Sequence, residues 1–381
     1  MEIDKQNGNN LWRTAEQTVL NQIDEYDTFT DLGKGAKAPA GYSRVRVHMV
    51  YDVKHDGRRK ARLVAGGHLT PPPTESTYSG VVSLRSLRLV LFAAELNGLE
   101  VHAADVGNAY LESKTKEKLY LVAGDEFGDR AGHTLLVFKA LYGLRSSGLR
   151  WHERFADTLR DMGFKPSKAD PDVWMRQNGD HYEYIAVYVD DLAIAAKDAK
   201  AITDTLINKY KYQLKGVGPI SYHLGCDFVR DPDGTLSFGP RKYVEKMMAS
   251  YEHLFGEKPR KYKSPLDAGD HPELDLSEFL DEIETSKYLT MIGALQWLIS
   301  LGRFDVATAV VTLGRFRTEP RKGHLERLKR VYGYVRAFPN GAIKIRTGLP
   351  DYSHLPSKKF NWQYSVYGKV TELVSKDMPK P

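Results

Sequence analysis

The feature that most constrains this chain is a pair of apolar runs separated by two acids. Tyr184-Ile185-Ala186-Val187-Tyr188-Val189 is continuously apolar, as a strand covered on both faces must be, and Leu192 to Ala196 forms a second such run after Asp190-Asp191. The break between them is short enough to imply a turn. Two like charges at a turn repel and cost stability unless something positive neutralises them. A hard divalent cation would do so, because it takes carboxylate oxygens together with substrate phosphates. Asp is also an ordinary turn residue, so the pair alone leaves both readings open.

The surrounding pattern supplies the rest of a domain. A helix through Leu84, Leu87 and Leu91 should stop at Asn97-Gly98, and the alternation of Leu99, Val101 and Ala103 then predicts a strand ending in Asp105. That strand could carry a third acid to the same edge, although an Asp there could equally cap the next turn. Trp151, Phe155, Leu159 and Met162 share one face of a predicted helix over 149–162, with Gly163 as its stop. Extended segments over 172–177 and 181–189 are joined through Asn178-Gly179, a pair that tolerates a tight hairpin. A further helix is predicted over 199–214 from Ile202, Leu206 and Tyr210. Helices alternating with hairpin-joined strands make this an α+β domain with a mainly antiparallel sheet.

Beyond Gly239 the chain reads as helices over 243–254, 288–301 and 323–338. The last is basic on one side, with Arg327, Arg330 and Arg336 preceded by Arg321 and Lys322, which suits either a phosphate backbone or a solvated surface. The segment 263–287 holds eight acids between Asp267 and Glu284 and reads as a solvated linker; 66–80, with Pro71-Pro72-Pro73, reads as a surface loop.

Composition narrows the function classes. The 381 residues carry 55 Lys plus Arg against 49 Asp plus Glu, a formal charge of +6 that is compatible with a polyanionic partner. Cys226 is the only cysteine, which excludes an internal disulfide framework and any zinc site needing two thiolates. With no apolar stretch of 18 residues and no signal-like start, no membrane association is expected, and the chain is expected to be intracellular.

Tyr188-Val189-Asp190-Asp191 resembles the Tyr-x-Asp-Asp signature of reverse transcriptases, and Asp105-Val106-Gly107-Asn108-Ala109-Tyr110 resembles the stretch around their first catalytic aspartate. Lys60-Ala61-Arg62-Leu63-Val64-Ala65, Leu141-Tyr142-Gly143-Leu144, Trp151 and Ser167-Lys168-Ala169-Asp170-Pro171 narrow the resemblance to copia-type long-terminal-repeat retrotransposons. Tyr222-His223-Leu224-Gly225, Ile292-Gly293-Ala294-Leu295 and Arg303-Phe304-Asp305-Val306-Ala307 continue it, as does the stretch from His324 to Tyr334. The ordered set runs from about Trp12 to Tyr334. It implies a right-hand polymerase: fingers within 1–98, an antiparallel-sheet palm over 99–238 with an inserted fingers segment, a helical thumb and connection over 239–345, and a tail over 346–381.

The resemblance also implies an RNA-directed DNA polymerase that extends a primer on an RNA or DNA template with dNTPs. Asp105 and Asp190 would hold two Mg²⁺ ions, with Mn²⁺ as substitute and Asp191 assisting. Tyr110 would be the steric gate against a 2′-hydroxyl, with a core aromatic as its other reading, and Lys60 and Arg62 would meet the triphosphate. Lys54, Arg58 and Arg59 add to that basic segment. In Leu144-Arg145-Ser146-Ser147-Gly148 the family usually has Lys-Gln-Ala-Pro after the Leu, so Arg145 and Ser146 fall at nucleotide-contacting positions with Ser146 in place of a glutamine. Gly148 replaces a proline, and Gly66-Gly67 stands where Lys-Gly is usual.

Family polyproteins carry capsid, protease, integrase and ribonuclease H regions around the polymerase, and none is evident here. The tail over 362–381 resembles the approach to ribonuclease H, so hydrolysis of an RNA strand is not expected. A cytoplasmic virus-like particle is the expected compartment, with the nucleus as alternative. Two other functions are weighed: a retroelement remnant that binds nucleic acid without turnover, and a palm-type nucleotidyl cyclase, which would need neither a gate tyrosine nor a basic thumb helix.

Overall fold

Burial on both faces fixes the central sheet. In the computed structural model, which describes residues 2–53, 57–73 and 75–349, six strands pair antiparallel in the order Leu214–Pro219, Glu100–Val106, Asp191–Ala196, His181–Tyr188, Val173–Asn178, Lys165–Pro166. On one face Ile185, Val187, Leu192 and Ile194 pack against Trp151, Phe155 and Leu159 of the helix Ser147–Asp161 and against Ile202 and Leu206 of the helix Ala199–Asn208. On the other, Ala186, Ala193 and Ala195 receive Leu87, Val90, Leu91 and Ala94 of the helix Leu84–Leu96. Alanines on that face let the helix approach closely, and each fully buried Leu or Ile contributes roughly 1.5–3 kcal/mol. Continuous apolarity therefore reflects cover on both sides.

Around this sheet, two boundaries differ from the sequence expectation. The hairpin loop is Gly179-Asp180, one residue later than Asn178-Gly179, because Asn178 pairs with His181 and Gly179 alone takes a positive φ of 62°. The helix expected over 199–214 ends at Asn208. Lys211 turns at φ 63°, Tyr212 enters the core with its hydroxyl 2.7 Å from that of Thr158, and the chain from Leu214 pairs with the Asp105 strand. Completing the sheet outweighs the local helical pattern.

Ahead of this sheet, the hairpin Val47–Val53/Arg59–Ala65 buries Ala61, Leu63 and Ala65. Leu63 and Ala65 share a core with Leu20 and Ile23 of the helix Leu11–Glu25 and with Leu119, Leu121, Leu135 and Val137 of a second, four-stranded sheet. After the central sheet, the helices Arg241–Phe255, Glu282–Ser300, Ala307–Gly314 and Lys322–Ala337 enclose a core of their own. Asp281 caps the second of these by accepting from Glu284 N at 2.8 Å, which starts it six residues before the 288 expected from periodicity. The chain divides into units Met1–Arg346 and Thr347–Pro381. Lys54 and the tail over 362–381 lie outside the described residues. Among those described, no helix is long and apolar enough to cross a membrane.

The acidic segment is not a solvated linker. It folds along the basic helix: Arg327 pairs with Asp270 at 2.9 Å and Asp275 at 2.5 Å, Arg330 with Asp267 at 2.7 Å, and Lys322 with Glu278 at 2.5 Å. His324 Nε2 lies 2.9 Å from Pro272 O, and Gly323 N donates to Ser277 Oγ at 2.8 Å. Intramolecular carboxylates thus pair with Lys322, Arg327 and Arg330, whereas Arg321 donates to Ser277 O and Arg336 to Pro259 O. Burial pushes the Asp275 carboxyl up, but hydrogen bonds from Ser277 and the Arg327 guanidinium overcome it and hold it at about 2. A lowered folded-state pKa stabilises the fold above the unfolded value and loses that contribution as pH falls. Asp275→Asn should therefore cost roughly 1–3 kcal/mol at neutral pH, with the difference closing towards pH of about 2, as followed by urea unfolding across pH.

Candidate active site

The acids converge because of strand register. Tyr188 pairs with Asp191 across a two-residue turn, Val189-Asp190, so Asp191 is the first residue of its strand and Asp190 sits at the tip. Asp191 stands directly opposite Asp105 on the next strand. Directly opposed residues point to one face, with Cβ atoms roughly 5 Å apart. Val106 N donates to Asp190 O at 2.8 Å, tying the turn to the Asp105 strand.

This turn is strained. Val189 has φ 57°, a conformation a β-branched residue adopts at a cost of order 1–3 kcal/mol. Trp151 holds it in place: its Nε1 donates to Val189 O at 2.7 Å from a fully buried indole that stacks on Phe155. The tryptophan quoted for its family likeness is thus the anchor of the turn.

Asp105 and Asp190 line a cavity of about 310 Å³ together with Lys60, Arg62, Asn108, Tyr142 and Lys215. Burial raises the Asp190 carboxyl; its own backbone amide opposes this, Asp105 adds to it, and Lys60 and Arg62 pull it back down. Burial, then Asp190 and Asp105, push Asp191 up to about 6. The charge expected to strain the turn is therefore expressed as proton affinity.

Among the described residues no three His, Cys, Asp or Glu side chains form a ready-made metal cage. A magnesium site does not require one, since this ion keeps waters and is held by one or two carboxylates plus substrate phosphates. An all-oxygen donor set beside Lys60 and Arg62 fits such an ion.

The remaining sequence-derived residues divide. Lys60 and Arg62 line the cavity. Tyr110 does not line it; its ring tilts against Tyr142, which does, at 4.9 Å between centroids. Arg145 and Ser146 are turned elsewhere: Arg145 donates to Gly67 O at 3.0 Å and His68 O at 2.9 Å, and buried Ser146 bonds the Glu117 carboxylate. Neither lines the cavity with the acids. The glycine retained at Gly67 has a steric reason, because a side chain there would overlap Gly143 O, while Gly143, at φ 88°, abuts Ala65 O; at Gly66, the position that departs from Lys-Gly, a side chain would meet nothing nearer than 3.5 Å. These close approaches seat the Lys60/Arg62 strand beside the sheet.

Sequence reading missed Lys215, paired in register with Asp105, and the helix Leu11–Glu25, whose Ala15, Thr18, Val19 and Gln22 form a wall of the cavity. Lys215 directly follows the segment over 199–214 expected as helix, and nothing local marks the N-terminal helix as part of a site.

Acids at a sheet edge, facing cations across a cavity, are what proteins acting on nucleotide phosphates place there. Residues 28–257 match the family of reverse transcriptases (RNA-dependent DNA polymerases), and the chain belongs to that family. It is 30% identical over 296 residues to the retrovirus-related Pol polyprotein from transposon RE1 of Arabidopsis thaliana, covering 76% of this chain and 20% of that protein. It is 28% identical over 341 residues to the Pol polyprotein from transposon TNT 1-94 of Nicotiana tabacum, covering 84% and 25%. A putative transposon Ty5-1 protein of Saccharomyces cerevisiae is 28% identical over 250 residues, covering 64% and 79%. The chain thus spans about a fifth of the length of the Arabidopsis relative.

A raised folded-state pKa stabilises the protonated fold, and that contribution is lost as pH rises through about 6. Asp191→Asn should raise the stability of the metal-free protein at pH of about 7.5 by roughly 1–2 kcal/mol, the gain vanishing below pH of about 4. Urea unfolding in EDTA reads this directly, and added Mg²⁺ should stabilise the wild type more than the variant.

Proposed function

We propose that this chain is the polymerase region of a copia-type retrotransposon Pol polyprotein and carries out RNA-directed DNA synthesis on a primed RNA or DNA template. The observation that carries this reading is the convergence of Asp105 and Asp190 on one cavity with Lys60 and Arg62, with Asp191 opposite Asp105. In this reading the central sheet is the palm, the Val47–Val53/Arg59–Ala65 hairpin belongs to the fingers, and the C-terminal helices form thumb and connection, within the boundaries 1–98, 99–238 and 239–345.

Asp105 and Asp190 would hold two Mg²⁺ ions, or Mn²⁺ in their place, with Asp191 assisting. Bound there, the ions would lower the pKa of the primer 3′-hydroxyl and neutralise the triphosphate, favouring in-line attack on the α-phosphate. The chain's own residues do the positioning. Lys60 and Arg62 receive the triphosphate oxygens, and Tyr110 closes the space a 2′-hydroxyl would need. Arg145 holds the turn at Gly67 and His68 against the base of the hairpin, and Ser146 fixes Glu117. The Trp151 bond keeps Asp190 at the turn tip. In this reading Lys60 and Arg62, which line the cavity with Asp105 and Asp190, are the phosphate-binding group of the site.

The test is primer extension on an RNA template with Mg²⁺ or Mn²⁺. Wild-type protein should add dNTPs, and Asp190→Asn should lower the rate by at least about a thousandfold, some 4 kcal/mol of transition-state stabilisation. Template–primer binding should weaken steeply between about 50 and about 200 mM salt in both proteins. Binding without extension under either metal would instead favour a nucleic-acid-binding remnant.

A further inference from the structure

The turn that carries Tyr110 is fastened at three points, and one lies before the first residue matched by the family. Asn108 opens it in the left-handed region at φ 53°, a conformation asparagine tolerates, and its carbonyl accepts from Leu111 N at 2.8 Å. Ser113 closes it, donating to Tyr110 O at 3.0 Å and accepting from Ala140 N at 2.9 Å. Between them Glu112, half-buried, accepts from the hydroxyl of Tyr26 at 3.0 Å. Tyr26 is the residue that ends the helix Leu11–Glu25.

The Glu112 carboxyl sits in a small polar network. Burial raises it, while the Tyr26 bond, Lys139 and Arg154 favour its charged form. Lys139 is in turn lowered, by burial first and by Lys114 and Arg154. The Asn108 amide lies beside the same phenol without completing a hydrogen bond from its buried Nδ2. Asn108 also lines the cavity that holds Asp105 and Asp190. A shift of this turn would therefore move Tyr110 against Tyr142 and change the cavity beside it.

We infer that Tyr26 and Glu112 are positioning residues for Tyr110, so that the N-terminal helix sets how strictly the site discriminates deoxyribonucleotides from ribonucleotides. The inference rests on the polymerase reading and on Tyr110 as its gate. Neither residue touches substrate. They act by denying the 109–112 turn the freedom to withdraw the Tyr110 ring from beneath the sugar.

The experiment compares wild-type chain, Tyr26→Phe, Glu112→Ala and Glu112→Gln in single-nucleotide primer extension with dATP and with ATP, after thermal melting has verified folding. Tyr26→Phe and Glu112→Ala should lower the ratio of kcat/KM for dATP over ATP by about fivefold, the worth of one net hydrogen bond, through a lower KM for ATP with kcat for dATP within about twofold. Glu112→Gln, whose amide oxygen still accepts from Tyr26, should keep most of the discrimination. An unchanged ratio, or equal losses with both nucleotides, would overturn the inference and leave the polymerase reading standing. Absence of extension by the wild type would instead overturn the polymerase reading. Calorimetric titration of each protein with dATP and ATP in Ca²⁺ then reads discrimination without turnover, and the same preference in wild type and variants there overturns the positioning role as well.

Discussion

The hydrogen bond from Trp151 Nε1 to Val189 O supports more of this structure than its length suggests. A two-residue turn between two-face-buried strands must place one residue in a disfavoured conformation, and here it is a valine at φ 57°. Relaxing that turn would carry Asp190 away from the Asp105 strand, to which Val106 N ties its carbonyl. The buried indole removes this option from one side of the sheet. Packing of Trp151 with Phe155 and Tyr212 is thereby converted into the position of a carboxylate.

A second constraint is charge. Burial and mutual repulsion raise Asp190 and Asp191, and the opposing Lys60 and Arg62 arrive on a hairpin from another layer. Their placement depends on backbone contact: Ala65 N donates to Tyr142 O at 2.7 Å, and Gly67 and Gly143 meet with no room for side chains. Glycines at this joint thus bear on electrostatics at the acids, although no charged group lies in the joint itself.

Much of the fold could be read from the chain because its strongest signals are local. The apolar runs, Asp190-Asp191, Trp151 and the Asn97-Gly98 stop each reflect a rule that acts over a few residues. The failures share a cause. Helical spacing of Ile202, Leu206 and Tyr210 gave no warning that Leu214 would be taken by the edge of a sheet whose partner lies a hundred residues earlier. The arginines of 321–336 and the acids of 267–284 were both recognised, yet nothing in either segment says that they meet. Register was likewise invisible: the alternation ending in Asp105 predicted a strand, but only pairing makes Asp191 its neighbour. Arg145 and Ser146 show the same limit, since a motif position does not say which way a side chain turns.

The helix Leu11–Glu25 shows where site and family signature part company. Its buried side, Ala15, Leu20 and Ile23, is ordinary amphipathic packing, and by that criterion it is a brace for the Val47–Val53/Arg59–Ala65 hairpin, with Arg59 over the Trp12 ring and Tyr51 bonded to Glu16. Yet Thr18 and Gln22 face the cavity of Asp105 and Asp190, and Tyr26 reaches Glu112 in the turn that carries Tyr110. Cutting the chain at the start of its matched region would keep Asp105, Asp190, Asp191, Lys60 and Arg62 while removing a wall of the cavity and one of three fastenings of the Tyr110 turn. The minimal motif set and the minimal physical site are therefore different objects, and the difference is the helix Leu11–Glu25 with the Tyr26 that ends it, whose sequence announces only that one side of the helix is buried.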